Sequence, residues 1–154
     1  MKYTFVSYSE NDTKAFARKL ARKLKVGDIV LLTGDLGAGK TTLVSGVLEE
    51  LGYKDHVISP TFNILKCYFE VDPHLYHIDA YRLEGQNIDI GLEEYIEGDG
   101  ITFIEWPIFI MSIIPNKHLT ISLHRLDDNT RRVEIDDPTD SYNEIIMEIS
   151  KEIK

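Results

Sequence analysis

Gly34, Gly39, Lys40 and Thr41 stand at the spacing G-x-x-x-x-G-K-[ST] within the run Gly34-Asp35-Leu36-Gly37-Ala38-Gly39-Lys40-Thr41. A polyphosphate needs many hydrogen-bond donors at once, and this spacing supplies them. Small residues let consecutive backbone N–H groups converge without Cβ clashes, and Gly34 and Gly39 can take positive φ. A helix opening near Lys40 would aim its unsatisfied N–H groups and positive dipole end at the phosphates. Lys40 can bridge β- and γ-phosphates, and the Thr41 hydroxyl can ligate Mg²⁺. The chemistry expected is ATP binding with Mg²⁺, and the nucleotide-binding set is Asp35, Leu36, Gly37, Ala38, Gly39, Lys40, Thr41 and Thr42. Asp35 brings negative charge to a phosphate loop, so its carboxylate is expected to point outward or meet a partner.

Such a loop needs a carboxylate at the end of a neighbouring strand, to hold the metal directly or through water. Two apolar runs end in one: Ile101-Thr102-Phe103-Ile104-Glu105 and Leu75-Tyr76-His77-Ile78-Asp79. A strand-end acid also serves as a turn or helix cap. Two acids suit the chemistry because metal binding and water activation need separate acceptors. Ser59-Pro60-Thr61-Phe62 offers Thr61 as a hydroxyl able to sense the γ-phosphate, although Ser-Pro also simply starts turns. His56, His74, His77, His118, His124 and Cys67 show no zinc-like spacing. His77 reads as a structural hydrogen-bonding residue beside Asp79. Cys67, the single cysteine, excludes an intrachain disulfide and reads as a buried structural thiol.

These residues need a scaffold, and the apolar patterning describes one. Residues 3–6 form a short strand, and Ser9 then caps a helix to about residue 24 that Gly27 ends. Residues 29–33 are apolar throughout, as for a strand covered on both faces. They feed the glycine-rich loop and a helix from Lys40 to about residue 51, closed by Gly52. Residues 62–71 and 75–78 flank Asp72-Pro73 as an antiparallel hairpin, and 101–104 form another apolar strand. Residues 117–123 and 131–135 make a second hairpin around Asp127-Asp128-Asn129. After Pro138 a final helix places Tyr142, Ile145, Ile146, Ile149 and Ile153 on one stripe. The order predicts one α/β domain over residues 1–154: a P-loop NTPase fold with three layers, a mixed sheet flanked by helices.

The chain of 154 residues carries a net charge of −9, which is not the basic surface of a free-standing nucleic-acid binder. Residues 1–25 run against that trend with seven basic and two acidic residues, a net of +5 that leaves −14 for the rest. These cations read either as the solvated face of the first helix or as a docking face for an acidic protein or RNA. The first ten residues lack the apolar run of a signal peptide, and the apolar stretch 101–114 is broken by Glu105 and Pro107. A cytoplasmic protein without membrane association is expected.

Residues 34–42 (GDLGAGKTT), 59–62 (SPTF), 76–83 (YHIDAYRL), 91–96 (GLEEYI) and 105–106 (EW) occur in the order and spacing of the TsaE family, and the chain resembles that family over about residues 5–136. The resemblance implies a small P-loop ATPase of weak intrinsic activity. It implies action with the TsaD–TsaB pair, which transfers a threonylcarbamoyl group to adenosine 37 of tRNAs reading ANN codons; tRNA would be met only through that complex. Carried over, it implies that Lys40 holds phosphates and Thr41 ligates Mg²⁺. Glu105 becomes the second protein ligand, Thr61 and Asp79 sense the γ-phosphate and position water, and Trp106 lies beside the nucleotide. Ala80 and Asn63 depart from the family pattern. For the base or phosphate side, Ser9 and Arg132 are the candidates, against readings as a helix cap and an exposed strand cation. Two other functions use nearly the same residues. A small-molecule kinase would also need an arginine-bearing lid, and after Lys40 only Arg82, Arg125, Arg131 and Arg132 remain, with none forming an obvious arginine finger. A nucleotide-gated assembly switch would bind without hydrolysing.

Overall fold

A computed structural model describes residues 1–35, 37–57, 64–85 and 91–153. Seven strands form one mixed sheet: β1 (Lys2–Ser7), β2 (Ile29–Thr33), β3 (Leu65–Tyr68), β4 (His74–Asp79), β5 (Gly100–Glu105), β6 (Leu119–Arg125) and β7 (Arg131–Asp136). Their spatial order is β1-β7-β6-β2-β5-β4-β3. The inner four, β6, β2, β5 and β4, run parallel, and the outer pairings β1–β7, β6–β7 and β3–β4 are antiparallel. The composition follows this plan. Every residue of β5 is buried, as for a strand covered on both faces, whereas β6 alternates buried and half-buried positions from Leu119 to Leu123.

Helices α1 (Glu10–Lys23), α2 (Lys40–Glu50) and α4 (Asn143–Glu152) cover one face, and α3 (Leu92–Ile96) with 3-10 turns over Tyr81–Leu83 and Pro107–Ile113 covers the other. The three-layer α/β architecture expected from the sequence is present. Among the described residues no helix is long and apolar enough to cross a membrane.

Ser9 caps α1 by accepting a hydrogen bond from the Asp12 amide at 3.1 Å. Glu10 and Asp12 in its first turn and Arg22 and Lys23 in its last oppose the helix dipole. The helix ends at Lys23 with Leu24 as its extended cap, close to the expected residue 24. Gly27 instead takes φ 92° in the turn that leads into β2, where the Asp28 carboxylate accepts from the Lys25 amide at 2.7 Å. Gly46 lets α1 and α2 pack closely: a Cβ there would stand 2.7 Å from the Ala17 Cβ. The first hairpin is shorter than its pattern suggested, since β3 covers only Leu65–Tyr68 and the chain bends through residues 70–73. The second extends nearer its tip, where the Asp127 carboxylate accepts from the Asn129 and Thr130 amides, both at 2.9 Å.

Candidate nucleotide and metal site

Because β1, β2, β4, β5 and β6 point the same way, their C-terminal ends share one edge of the sheet, where open α/β sheets bind ligands. A cavity of about 790 Å³ opens there. From the sequence-derived candidates it gathers Ser9, Asp35, Gly37, Gly39, Lys40, Thr41, Thr42, Asp79, Glu105 and Trp106. Ala38 is buried, and its carbonyl accepts a hydrogen bond from Arg131. Leu36 and Thr61 lie outside the described residues.

The loop leaves β2 through Gly34, whose φ is 143° and where a Cβ would stand 2.5 Å from the Leu123 carbonyl oxygen. Side chains are excluded there by β6 itself. At the other end Gly39, with φ 104°, starts α2 without any side-chain cap. The first N–H groups of α2 are therefore left for a ligand, as anion binding requires. Lys40 is buried at 8% exposure. Its ammonium donates to the Gly34 carbonyl at 2.7 Å, stands 3.6 Å from Glu105 Oε1 and lies 5.0 Å above the Trp106 ring. Asp35 is exposed, as its charge led us to expect.

β4 and β5 bring the two acids side by side, since Asp79 and Glu105 are register partners in parallel strands. Their surroundings drive them apart. Burial raises Glu105, but the hydrogen bond with His77 and the nearby Lys40 ammonium outweigh it, and the carboxyl titrates below its ordinary 4.5. Burial also raises Asp79, and the Glu105 charge adds to it. The hydrogen bond from the Tyr81 amide at 3.0 Å compensates only in part, so Asp79 stays above its ordinary 3.8. Two acids with separated titrations divide naturally into a permanent anion and a proton acceptor. His77, fully buried, meets Glu105 Oε2 at 2.6 Å through Nε2, so its partner is Glu105 rather than Asp79.

Glu105 ends its strand in a sharp turn. Trp106 takes φ 55° and ψ 50°, a left-handed conformation that costs a tryptophan about 1–3 kcal/mol. That turn sets the indole beside Lys40 and against Tyr81, with ring centroids 5.0 Å apart.

Arg132 does not line the cavity. It sits on the opposite face of β7 and is 3.4 Å from Glu134. Arg131 lines it instead, donating to the carbonyls of Gly37 at 3.1 Å and Ala38 at 3.0 Å. The signal was strand parity: Arg131 alternates in step with the buried Val133 and Ile135, and Arg132 does not. An arginine thus does stand against the P-loop, contrary to the sequence reading, but its guanidinium is bonded to loop carbonyls. Sequence reasoning also missed Glu10, Thr13, Tyr81, Asp128 and Asn129 in the cavity wall. Tyr81 stands in the 76–83 motif but follows β4 into the cavity by its place in the fold, and Glu10, Thr13, Asp128 and Asn129 reach it because α1 and the β6–β7 turn share an edge with the loop. Ser9 lines the cavity, yet its hydroxyl already serves as the α1 cap.

A hard cation such as Mg²⁺ wants oxygen donors and keeps several waters and phosphate oxygens. Glu105, held ionised, and the Thr41 hydroxyl fit that donor set in one cavity. Among the described residues no group of three His, Cys, Asp or Glu forms a closed metal cage. Cys67 is half-buried rather than buried, and burial raises its thiol, which argues against a nucleophile.

Comparison with known proteins identifies the family. The family model for the threonylcarbamoyl adenosine biosynthesis protein TsaE matches residues 7–133. The tRNA threonylcarbamoyladenosine biosynthesis protein TsaE of Bacillus subtilis is 40% identical over 140 residues, covering 91% of this chain and 89% of that one. The protein of the same name from Treponema pallidum is 39% identical over 132 residues, covering 84% and 97%. The crystal structure of Bacillus subtilis YdiB superposes with a TM-score of 0.86 at 32% identity, covering all of this chain and 97% of that one. The chain belongs to the TsaE family of tRNA threonylcarbamoyladenosine biosynthesis proteins.

Proposed function

We propose that this chain is a Mg²⁺-dependent ATPase of weak intrinsic rate that acts with the TsaD–TsaB pair in threonylcarbamoylation of adenosine 37. The observation that carries the reading is the pairing of Asp79 and Glu105 over a complete P-loop, with burial and neighbours moving their titrations in opposite directions. ATP displaces Lys40 from the Gly34 carbonyl, and the ammonium takes β- and γ-phosphate oxygens instead. The uncapped start of α2 donates its N–H groups to the same phosphates. Thr41 and Glu105 hold Mg²⁺, which, when bound, neutralises charge on the transferring phosphoryl group. Asp79 accepts a proton from the attacking water, or orients that water, and Thr61 serves as a γ-phosphate sensor. β6 and β5 lie on opposite sides of β2, so the cavity wall at Asn129 and Glu10 is the base-side end and that at Asp79 the reacting end.

Partner dependence is the second part of the proposal. Among the described residues Arg131 is the arginine that lines the cavity and it is occupied with the P-loop carbonyls, so a partner chain is the expected source of a transition-state arginine, a contribution worth roughly 10³–10⁵ in rate. The test is phosphate release at saturating ATP across a titration of TsaD–TsaB. A slow basal rate that rises and saturates with partner is expected. A flat rate while the complex demonstrably forms would refute the partner's role. A phosphorylated small-molecule acceptor in place of free phosphate would make the chain a kinase.

A further inference from the structure

His77 stands behind the reacting groups. It lies on the same face of β4 as Asp79, two residues earlier, and is fully buried. Its register partner on β5 is Phe103, so its ring reaches diagonally along the sheet to Glu105. There Nε2 meets Oε2 at 2.6 Å. An ionised carboxylate only accepts, so Nε2 carries the proton. Nδ1 has no hydrogen-bond partner among the described residues. A buried imidazole with one nitrogen unpaired is a cost to folding that an apolar side chain of similar volume would avoid. Among the described residues the hydrogen-bond partner of the imidazole is Glu105.

The two oxygens of Glu105 have different surroundings. Oε2 is bonded to His77, and Oε1 is 3.6 Å from the Lys40 ammonium, longer than a normal hydrogen bond. A carboxylate without the imidazole could turn about its last torsion, which is soft. It could then swing Oε1 away from the direction in which the sheet edge now presents it. We propose that His77 is a positioning residue that fixes the Glu105 carboxylate: it tethers Oε2 and leaves Oε1 as the one oxygen offered to Mg²⁺. The proposal rests on the nucleotide–magnesium reading of the cavity. Partners that orient a ligating group in this way typically contribute 10- to 100-fold in metal affinity.

The experiment is calorimetric titration of ADP into the full chain, first with EDTA and then across a series of Mg²⁺ concentrations. His77→Leu is expected to leave ADP affinity in EDTA unchanged and to raise the Mg²⁺ concentration for half-maximal tightening about 10- to 100-fold. His77→Gln keeps an N–H donor and is expected to stay closer to the unaltered protein than to His77→Leu. An unchanged Mg²⁺ half-saturation in folded His77→Leu overturns the proposal and leaves the site reading intact. Loss of ADP affinity already in EDTA also overturns it, because His77 would then merely support the cavity. An unaltered protein that binds ADP no better with Mg²⁺ overturns the magnesium reading and this proposal together. Should His77→Leu not fold, the nuclear magnetic resonance signal of the His77 Nε2 proton is followed in the unaltered protein as Mg²⁺ is added to its ADP complex. A shift that saturates with the calorimetric Mg²⁺ dependence is expected, and a signal indifferent to Mg²⁺ overturns the tether.

Discussion

Paired charge on α1 contrasts with paired charge at the end of the sheet. On α1, Lys14 and Arg18 each stand 3.0 Å from Glu49, Arg22 is 2.8 Å from Glu50, and Lys23 is 3.0 Å from Glu152 and 3.3 Å from Glu148. The helix that looked in sequence like a free basic surface is thus zipped to acids of α2 and α4. Most of these groups remain in water, where ion pairs contribute little and salt weakens them further. At the sheet edge Lys40, Glu105 and His77 use the same attractions out of water, with side-chain exposures of 9%, 6% and 0%. There, removing one partner strands another buried group. Ion pairing on α1 positions helices, whereas ion pairing at the sheet edge holds a site ready for a ligand.

The sharpest way to separate the two clusters is through the acids. Asp79→Asn is expected to reduce phosphate release about 100-fold or more, the contribution typical of a positioned base, while ATP affinity is retained. Glu105→Gln is expected instead to weaken binding in Mg²⁺, because an amide is a poor ligand for a hard cation. Titration calorimetry beside phosphate release distinguishes them, and the opposite pattern would exchange the two roles.

The same acids predict a stability effect of moderate size. The folded protein raises the pKa of Asp79, so ionising it in the native state costs stability. That cost is absent below pH 3.8 and fully present above the raised native value. Asp79→Asn is therefore expected to melt higher than the unaltered protein at neutral pH, with the difference vanishing in acid. Glu105 has the opposite sign: its pKa is lowered, so its contribution is complete above pH 4.5 and is lost as pH falls through the native value. Melting curves across pH check both, and a neutral-pH loss of stability in Asp79→Asn would contradict the assignment.

Trp106 gives a smaller, optical signal. Its ring lies 5.0 Å from the Lys40 ammonium, which moves when phosphate arrives, so its fluorescence is expected to change on adding ATP or ADP with Mg²⁺. A saturating titration without spectral change would remove it from the site. The smallest effect belongs to α1. Arg22→Ala is expected to shift the melting temperature little, and less still in high salt, because its side chain is 62% exposed. A large loss would place α1 among the structural anchors.

The parts of this arrangement that were legible in sequence are those governed by local chemistry. The glycines of the loop, the apolar run before it and the acids ending β4 and β5 each declare a conformation or a burial state through residue type. The short end of β3 was less legible, because apolar residues continue past the point where the chain bends at residues 70–73. The identity of the P-loop arginine was misread by one position, although strand alternation separates Arg131 from Arg132. The cavity wall at Asp128 and Asn129, and the pairing of α1 with Glu49 and Glu50, depend on which elements become neighbours in space. No local pattern encodes that.

The measurement that bears most directly on the account is calorimetric titration of ATP with Mg²⁺ into the unaltered chain and into Lys40→Ala. One site per chain is expected in the first, with binding lost or severely weakened in the second while its melting curve shows a folded protein, since Lys40 is the cavity-lining cation at the head of α2 and Arg131 is bonded to loop carbonyls. Equal affinity in the two proteins would mean that the cavity at the end of β2 is not where nucleotide binds.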